Sequence, residues 1–355
     1  MMKMKTVWRN KYIITTFLLC VISAFSFAIV KLNASYNSKE DDYVVVTSFY
    51  PMYIATLNIT ENADGVEVKN LTNNVTGCLH DYQLSTKDLK MLDGADMLVI
   101  NGAGMEHFLE DIIDTYKELE VVEATKGLPL LKGKAHVHEE VHTQEDEDSM
   151  HEEHETEDVH EEEHETENVH EENEEAHTHD MESSLEVDNA HSWMDIKLYR
   201  EEVKKIYEAL AKANSENKEL YKNNYENYDK ELQKLCVEIE QLKELTKETK
   251  VVTFHDAFVY LKNMCGFEIK ETINMDDENM LSAAQVGEII DLVESGEAEY
   301  LITDENEGKA AAKAIAEETD VKIIYLNPLV SGEDNAHSYI DGMKENIERL
   351  KEAFN

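Results

Sequence analysis

Val44-Val45-Val46-Thr47-Ser48-Phe49, closed by Pro51, is a short apolar run rich in β-branched residues, as a buried strand requires. A matching run, Met97-Leu98-Val99-Ile100, closes on the Asn101-Gly102 turn. Between them, residues 86–94 carry Leu89 and Leu92 at a spacing that predicts a helix with both on one face. Continuous apolar strands alternating with helices belong to a parallel sheet covered on both sides. The pattern returns later in the chain. Val251-Val252-Thr253-Phe254, Tyr300-Leu301-Ile302-Thr303 and residues 321–326 read as strands, and 281–294, 308–318 and 339–353 as helices. The predicted class is α/β, with two lobes, each a mainly parallel sheet flanked by helices.

Residues 215–247 place Leu220, Tyr221, Tyr225, Tyr228, Leu232, Leu235, Ile239 and Leu242 three and four apart, one stripe on a long helix. A helix of about 30 residues spans about 45 Å, enough to run behind both lobes. The expected organisation is an N-terminal metal-binding lobe over 41–212, a linking helix over 213–247 and a C-terminal metal-binding lobe over 248–355.

Residues 1–40 read as a signal or membrane anchor. Lys3, Lys5, Arg9 and Lys11 precede an uncharged run over 13–30, about long enough to span a bilayer. Basic residues ahead of it keep the N-terminus inside, so the rest is expected outside the cytoplasm, held at the cell surface or secreted after cleavage. Cys20 follows Leu18-Leu19 rather than a small residue, so lipidation is not expected.

The formal charge is −44, and it is unevenly spread. Residues 133–186 carry 23 acidic side chains and ten of the fifteen histidines: His136, His138, His142, His151, His154, His160, His164, His170, His177 and His179. They include a near-exact repeat, from His154 to His160 and again from His164 to His170. With almost no apolar residues this segment cannot bury a core, so a disordered insertion is expected. A surface this acidic attracts cations and repels nucleic acid, which excludes nucleic-acid binding. Cys20, Cys78, Cys236 and Cys265 form no CxxC, so a finger-type thiolate site is not expected. Cys78 and Cys265 read as buried thiols, with a disulfide between them as the alternative.

Five histidines remain. A lone histidine is more often a hydrogen-bonded core or surface residue than a ligand, and His107 and His337, at no strand end, take that reading. His80 in Gly77-Cys78-Leu79-His80-Asp81-Tyr82 stands ahead of a helix. His191 in Asn189-Ala190-His191-Ser192-Trp193-Met194-Asp195 precedes another, and His255 in Phe254-His255-Asp256-Ala257-Phe258 ends a strand. Open α/β sheets bind ligands outside the carboxyl ends of their strands, where such loops converge. Three imidazoles with an open fourth position suit zinc, and nitrogen donors fit it better than calcium or magnesium.

These motifs, with Thr47-Ser48-Phe49-Tyr50-Pro51, Asn101-Gly102-Ala103-Gly104-Met105-Glu106 and Leu326-Asn327-Pro328-Leu329, occur in an order that resembles the cluster A-I solute-binding proteins of metal ABC importers. Within them the chain is most similar to the zinc-binding branch, over nearly everything from Tyr43 onward. The resemblance implies a binding protein rather than an enzyme, monomeric, with a membrane permease and an ATPase as partners. It puts a tight Zn2+ on His80, His191 and His255 in the cleft between the lobes. The manganese-binding branch has a carboxylate where His255 stands, so Mn2+ is the lesser expectation. Leu79 and Ile196 replace prolines usual in the family, and Asn327 and Val330 stand where relatives place a carboxylate. The fourth ligand is therefore expected to be water, with Asn327 or Glu333 as further candidates. The insertion's histidines are expected to collect zinc loosely near the cleft, the alternative being an inert acidic spacer. Two other functions fit three histidines. One is a zinc hydrolase, with Asp81 or Asp256 beside a ligand as base. The other is an adhesin or metal sink that meets no transporter.

Overall fold

The computed structural model describes residues 42–72, 79, 82–134, 186–273, 281–306 and 308–355. The leader, His80, Cys78 and the ten histidines of the insertion lie outside the described residues. The first half runs β1 (Tyr43–Thr47), α1 (Tyr50–Thr60), β2 (Val66–Asn70), α2 (Thr86–Asp93), β3 (Met97–Ile100), α3 (His107–Ile113) and β4 (Glu120–Glu123). Its sheet has the order β2-β1-β3-β4, every pair parallel. After the paired β5 (Lys132–Lys134) and β6 (Glu186–Asp188) come α4 (Ile196–Ala213), α5 (Lys218–Glu240), α6 (Lys243–Thr246) and β7 (Lys250–Thr253). Then follow α7 (Leu261–Cys265), β8 (Glu268–Thr272), α8 (Ala283–Glu294), β9 (Tyr300–Thr303), α9 (Lys309–Glu318), β10 (Lys322–Tyr325) and α10 (Ser338–Phe354). The second sheet, β10-β9-β7-β8, is also wholly parallel. By internal contacts the chain divides into Met1–Lys132 with Asp188–Asn355, which holds both four-stranded sheets, and Gly133–Val187. No helix among the described residues is long and apolar enough to cross a membrane.

The α/β class is as predicted. The pleat explains why the inner strands are apolar throughout. Successive side chains point to opposite faces, so Val45 enters the main core and Val46 a smaller one behind the first sheet. Val251 and Val252 divide in the same way in the second sheet. The short pair β5 and β6, at the two ends of the expected insertion, is not read from the sequence, and in the four-stranded sheets three strands escape a search for apolar runs: β2, β4 and β8. All three are sheet edges, half-exposed and interspersed with charge, which protects an edge from pairing with another chain.

The stripe over 215–247 faces the core, but not on one rod. A 3-10 turn, Ser215–Asn217, precedes α5, and a turn at Gln241 and Leu242 separates it from α6. The turn keeps Leu242 in the core and lets Thr246 Oγ1 donate to the carbonyls of Leu242 and Cys265. On α2, Leu92 is buried while Leu89 is exposed. This helix is only two turns long, and its inward face is taken by Leu92 and by Asp88, which closes a capping box with Ser85.

The halves are joined by α1, α4 and α5 and by the segment after β10. One core runs from Val45 to Leu350 through both. Tyr50 Oη donates to the Glu333 carbonyl at 2.8 Å and Asn58 Nδ2 to the Ala336 carbonyl at 2.7 Å. Gly332 makes this docking possible, because a Cβ there would lie 2.9 Å from Tyr50 Cζ and overlap its hydroxyl. Gly332→Ala should therefore cost about 1–3 kcal/mol by forced repacking. The loss should appear as a lower urea midpoint at unchanged slope.

Candidate metal centre

His255 is placed by the second sheet. Phe254 N–H still bonds the Ile302 carbonyl at 2.9 Å, and His255 follows in extended backbone, heading the 3-10 turn Asp256–Tyr260. His191 comes from the other half, between Asn189 and the 3-10 turn Ser192–Met194. Asp195 then caps α4 by accepting the Lys197 N–H at 2.8 Å. Both histidines are 2% exposed, and their ring centroids lie 4.9 Å apart at 78°. Two imidazoles on one tetrahedral zinc, each with Zn–N near 2.1 Å, have centroids roughly 5 Å apart, so the pair fits a shared ion.

Hydrogen bonds fix the protons on each ring. His191 Nδ1 lies 3.0 Å from Asn189 Oδ1, which only accepts, so in the neutral ring Nδ1 carries the proton and Nε2 the lone pair. His255 Nδ1 instead accepts the Ala257 N–H at 2.9 Å, so its neutral ring is protonated at Nε2. Ligation through that Nε2 requires the proton to move to Nδ1, which ends the bond from Ala257. Trp193 lies 5.1 Å from His191 and Phe258 6.1 Å from His255, centroid to centroid, with Phe49 edge-on to Trp193. This aromatic lining lowers the local dielectric and strengthens any interaction with a cation.

Of the sequence candidates, the structure brings His191 and His255 together, and His80 lies outside the described residues. Among the described residues no group of three His, Cys, Asp or Glu is spaced to hold a metal. Asn327 is half-buried, and its Oδ1 accepts the Leu329 N–H at 2.8 Å. Its backbone is clasped by Asn346, which accepts from its N–H at 2.7 Å and donates to its carbonyl at 2.8 Å. Glu333 is exposed. His107 and His337 are surface residues facing Glu110 and Glu231. Cys265 and Cys236 are free buried thiols, and burial pushes Cys265 up to about 12.

Several residues of the site carried no role in the sequence reading. Asn189 Oδ1 also accepts the His191 backbone N–H at 3.0 Å, an Asx turn whose Asn-x-His spacing is visible in the sequence. Behind His191, Ser192 Oγ donates at 2.6 Å to Glu202, a fully buried residue of α4 whose Oε2 has no hydrogen-bond partner among the described residues. Burial pushes this carboxyl up to about 7, with Ser192 and Lys205 opposing. Glu106 is likewise raised to about 7 by burial, against hydrogen bonds from Ser48 Oγ and the N–H groups of Asn101 and Gly102.

A family model described as zinc-uptake complex component A, periplasmic, matches residues 45–353. The high-affinity zinc uptake system protein ZnuA of Bacillus subtilis is 27% identical over 353 residues, covering 98% of each chain. The zinc-binding protein AdcA of Streptococcus pyogenes serotype M3 is 27% identical over 340 residues, 94% of this chain. The chain spans 60% of the length of that relative. Among solved structures, zinc-bound AdcA of Streptococcus pneumoniae aligns with a TM-score of 0.64 at 23% identity, over 88% of this chain and 58% of the other. The laminin-binding adhesin Lmb of Streptococcus agalactiae aligns at 0.65 and 23%, over 88% and 99%. Both structures share the fold.

The buried carboxyl of Glu202 gives a pH signature. Its folded pKa of about 7 exceeds the usual 4.5, so the folded chain holds this proton more tightly than the unfolded one. The stabilisation is complete below about pH 4.5 and is lost as pH rises through about 7. Glu202→Gln should remove that loss. In melts between pH 4.5 and 8, the variant should gain on the parent as pH rises, by about 2–3 kcal/mol in total.

Proposed function

The chain belongs to the zinc-uptake component A family of periplasmic proteins, and from that premise we propose that it captures zinc between its two halves and delivers it to an ABC-type metal importer. The observation that supports the reading is the buried pair of histidines, one ahead of α4 and one after β7, with ring centroids 4.9 Å apart. His80 is the third ligand and water the fourth, with Asn327 or Glu333 as the protein alternatives. The halves act as lobes over 41–212 and 248–355, linked by 213–247. Binding rather than catalysis is the task, and a membrane permease and its ATPase are the partners. The protein works outside the cytoplasm as a monomer, anchored by its apolar leader or released by cleavage of it. The relatives' names, zinc uptake and zinc binding, support this reading.

The insertion's histidines collect zinc loosely and raise its concentration near the tight site. Imidazoles bind metal only when neutral, so this contribution fades below roughly pH 6.

Replacing His80, His191 or His255 singly by Ala should weaken zinc binding by more than about 100-fold, since these losses exceed those of outer partners. Calorimetry against a competing chelator measures it, and unchanged affinity in all three variants would sink the assignment. Deleting residues 134–186 should leave one tight zinc per chain and remove several weaker ones. Loss of the tight zinc on deletion would make the insertion part of the site, and unchanged stoichiometry would make it an inert spacer.

A further inference from the structure

We propose that Asn189 is the positioning residue of this site: its single amide sets the tautomer of His191 and ties that ligand to the segment carrying His255. The inference rests on reading those histidines as zinc ligands. Asn189 is 4% exposed. Its Oδ1 accepts both the backbone and the ring N–H of His191, each at 3.0 Å, while its Nδ2 donates to the Asp256 carbonyl at 3.1 Å. Its main chain is pinned as well. The N–H donates to the Leu131 carbonyl at 2.8 Å, and the carbonyl accepts Tyr260 Oη at 2.6 Å.

The amide can stand only one way round. Turned over, its NH2 would face the His191 N–H and its oxygen the Asp256 carbonyl, two repulsions in a buried site. In the observed orientation the oxygen can only accept, so His191 must carry its proton on Nδ1 and present Nε2. The other end of the same group holds the neighbour of His255. One planar side chain thus couples the direction of one ligand to the backbone that bears the second.

An amide does this without adding charge. A carboxylate at position 189 would still orient His191, but it would place a negative charge near a buried divalent ion and could not donate to the Asp256 carbonyl.

The test uses the full chain, with Zn2+ and a competing chelator, and nitrogen NMR of the zinc-free imidazoles. In the parent, His191 should be the Nδ1–H tautomer, and Nε2–H there would overturn the proposal without any variant. Asn189→Ala should mix the tautomers and weaken zinc binding about 10–100-fold, the usual cost of an outer partner. Asn189→Asp should restore the Nδ1–H tautomer and most of the affinity, although it breaks the Asp256 bond. An Asp variant no better than Ala, or an Ala variant with parental tautomer and affinity, would overturn the positioning role alone. His191→Ala is the control: if it keeps parental zinc affinity, the zinc reading fails and the positioning role with it.

Discussion

The indole N–H of Trp193 donates to the Pro328 carbonyl at 2.8 Å, and Tyr339 Oη donates back to the Trp193 carbonyl at 2.6 Å. A residue two positions after His191 is thereby bonded, side chain and main chain, to the half that bears His255. Trp193 is fully buried, so an unmade bond at its indole would cost about 1–3 kcal/mol. Phe49, at the end of β1, packs edge-on against the same ring. The distance between the two histidines depends on this joint, because neither sheet fixes it alone. Each sheet positions its own loops, and Trp193 sets one group of loops against the other.

Much of this was legible in the sequence, and the failures have physical causes. The inner strands were found because burial on both faces demands apolar residues at every position. The edge strands β2, β4 and β8 were missed because an edge needs apolar residues on one face at most. Charged residues such as Glu67, Lys69, Glu120, Glu123 and Lys270 hid them, whereas the apolar edge β10 was found. His191 and His255 were legible as candidates from their neighbours, but their approach to 4.9 Å joins residues 64 positions apart and is a property of packing alone. Glu202 lay open to discovery. Tyr199, Val203, Ile206 and Leu210 mark the buried face of α4, and Glu202 falls on it at helical spacing. Within a run of charged residues, its burial shows only when that face is traced.

The acidic character of the chain works at two ranges. Exposed carboxylates attract divalent cations at distances that salt screens, and the net charge of −44 makes that field strong. Glu106 and Glu202 belong to the other range, in the interior near the His191 loop, where solvent does not weaken their fields. Their raised pKa values keep part of that charge neutral near pH 7, so the interior electrostatics of this half vary with pH.

Sulfur is the donor zinc holds most tenaciously, and the two described cysteines keep theirs out of play. Cys236 and Cys265 are shut inside the core, and burial raises both thiols, the second to about 12, so neither is a thiolate at neutral pH. The thiolate is the form that grips metal, attacks disulfides and reacts with peroxide. Both cysteines therefore behave as small apolar residues. While the core stays closed, neither of these two offers a thiolate to a metal ion or to an oxidant.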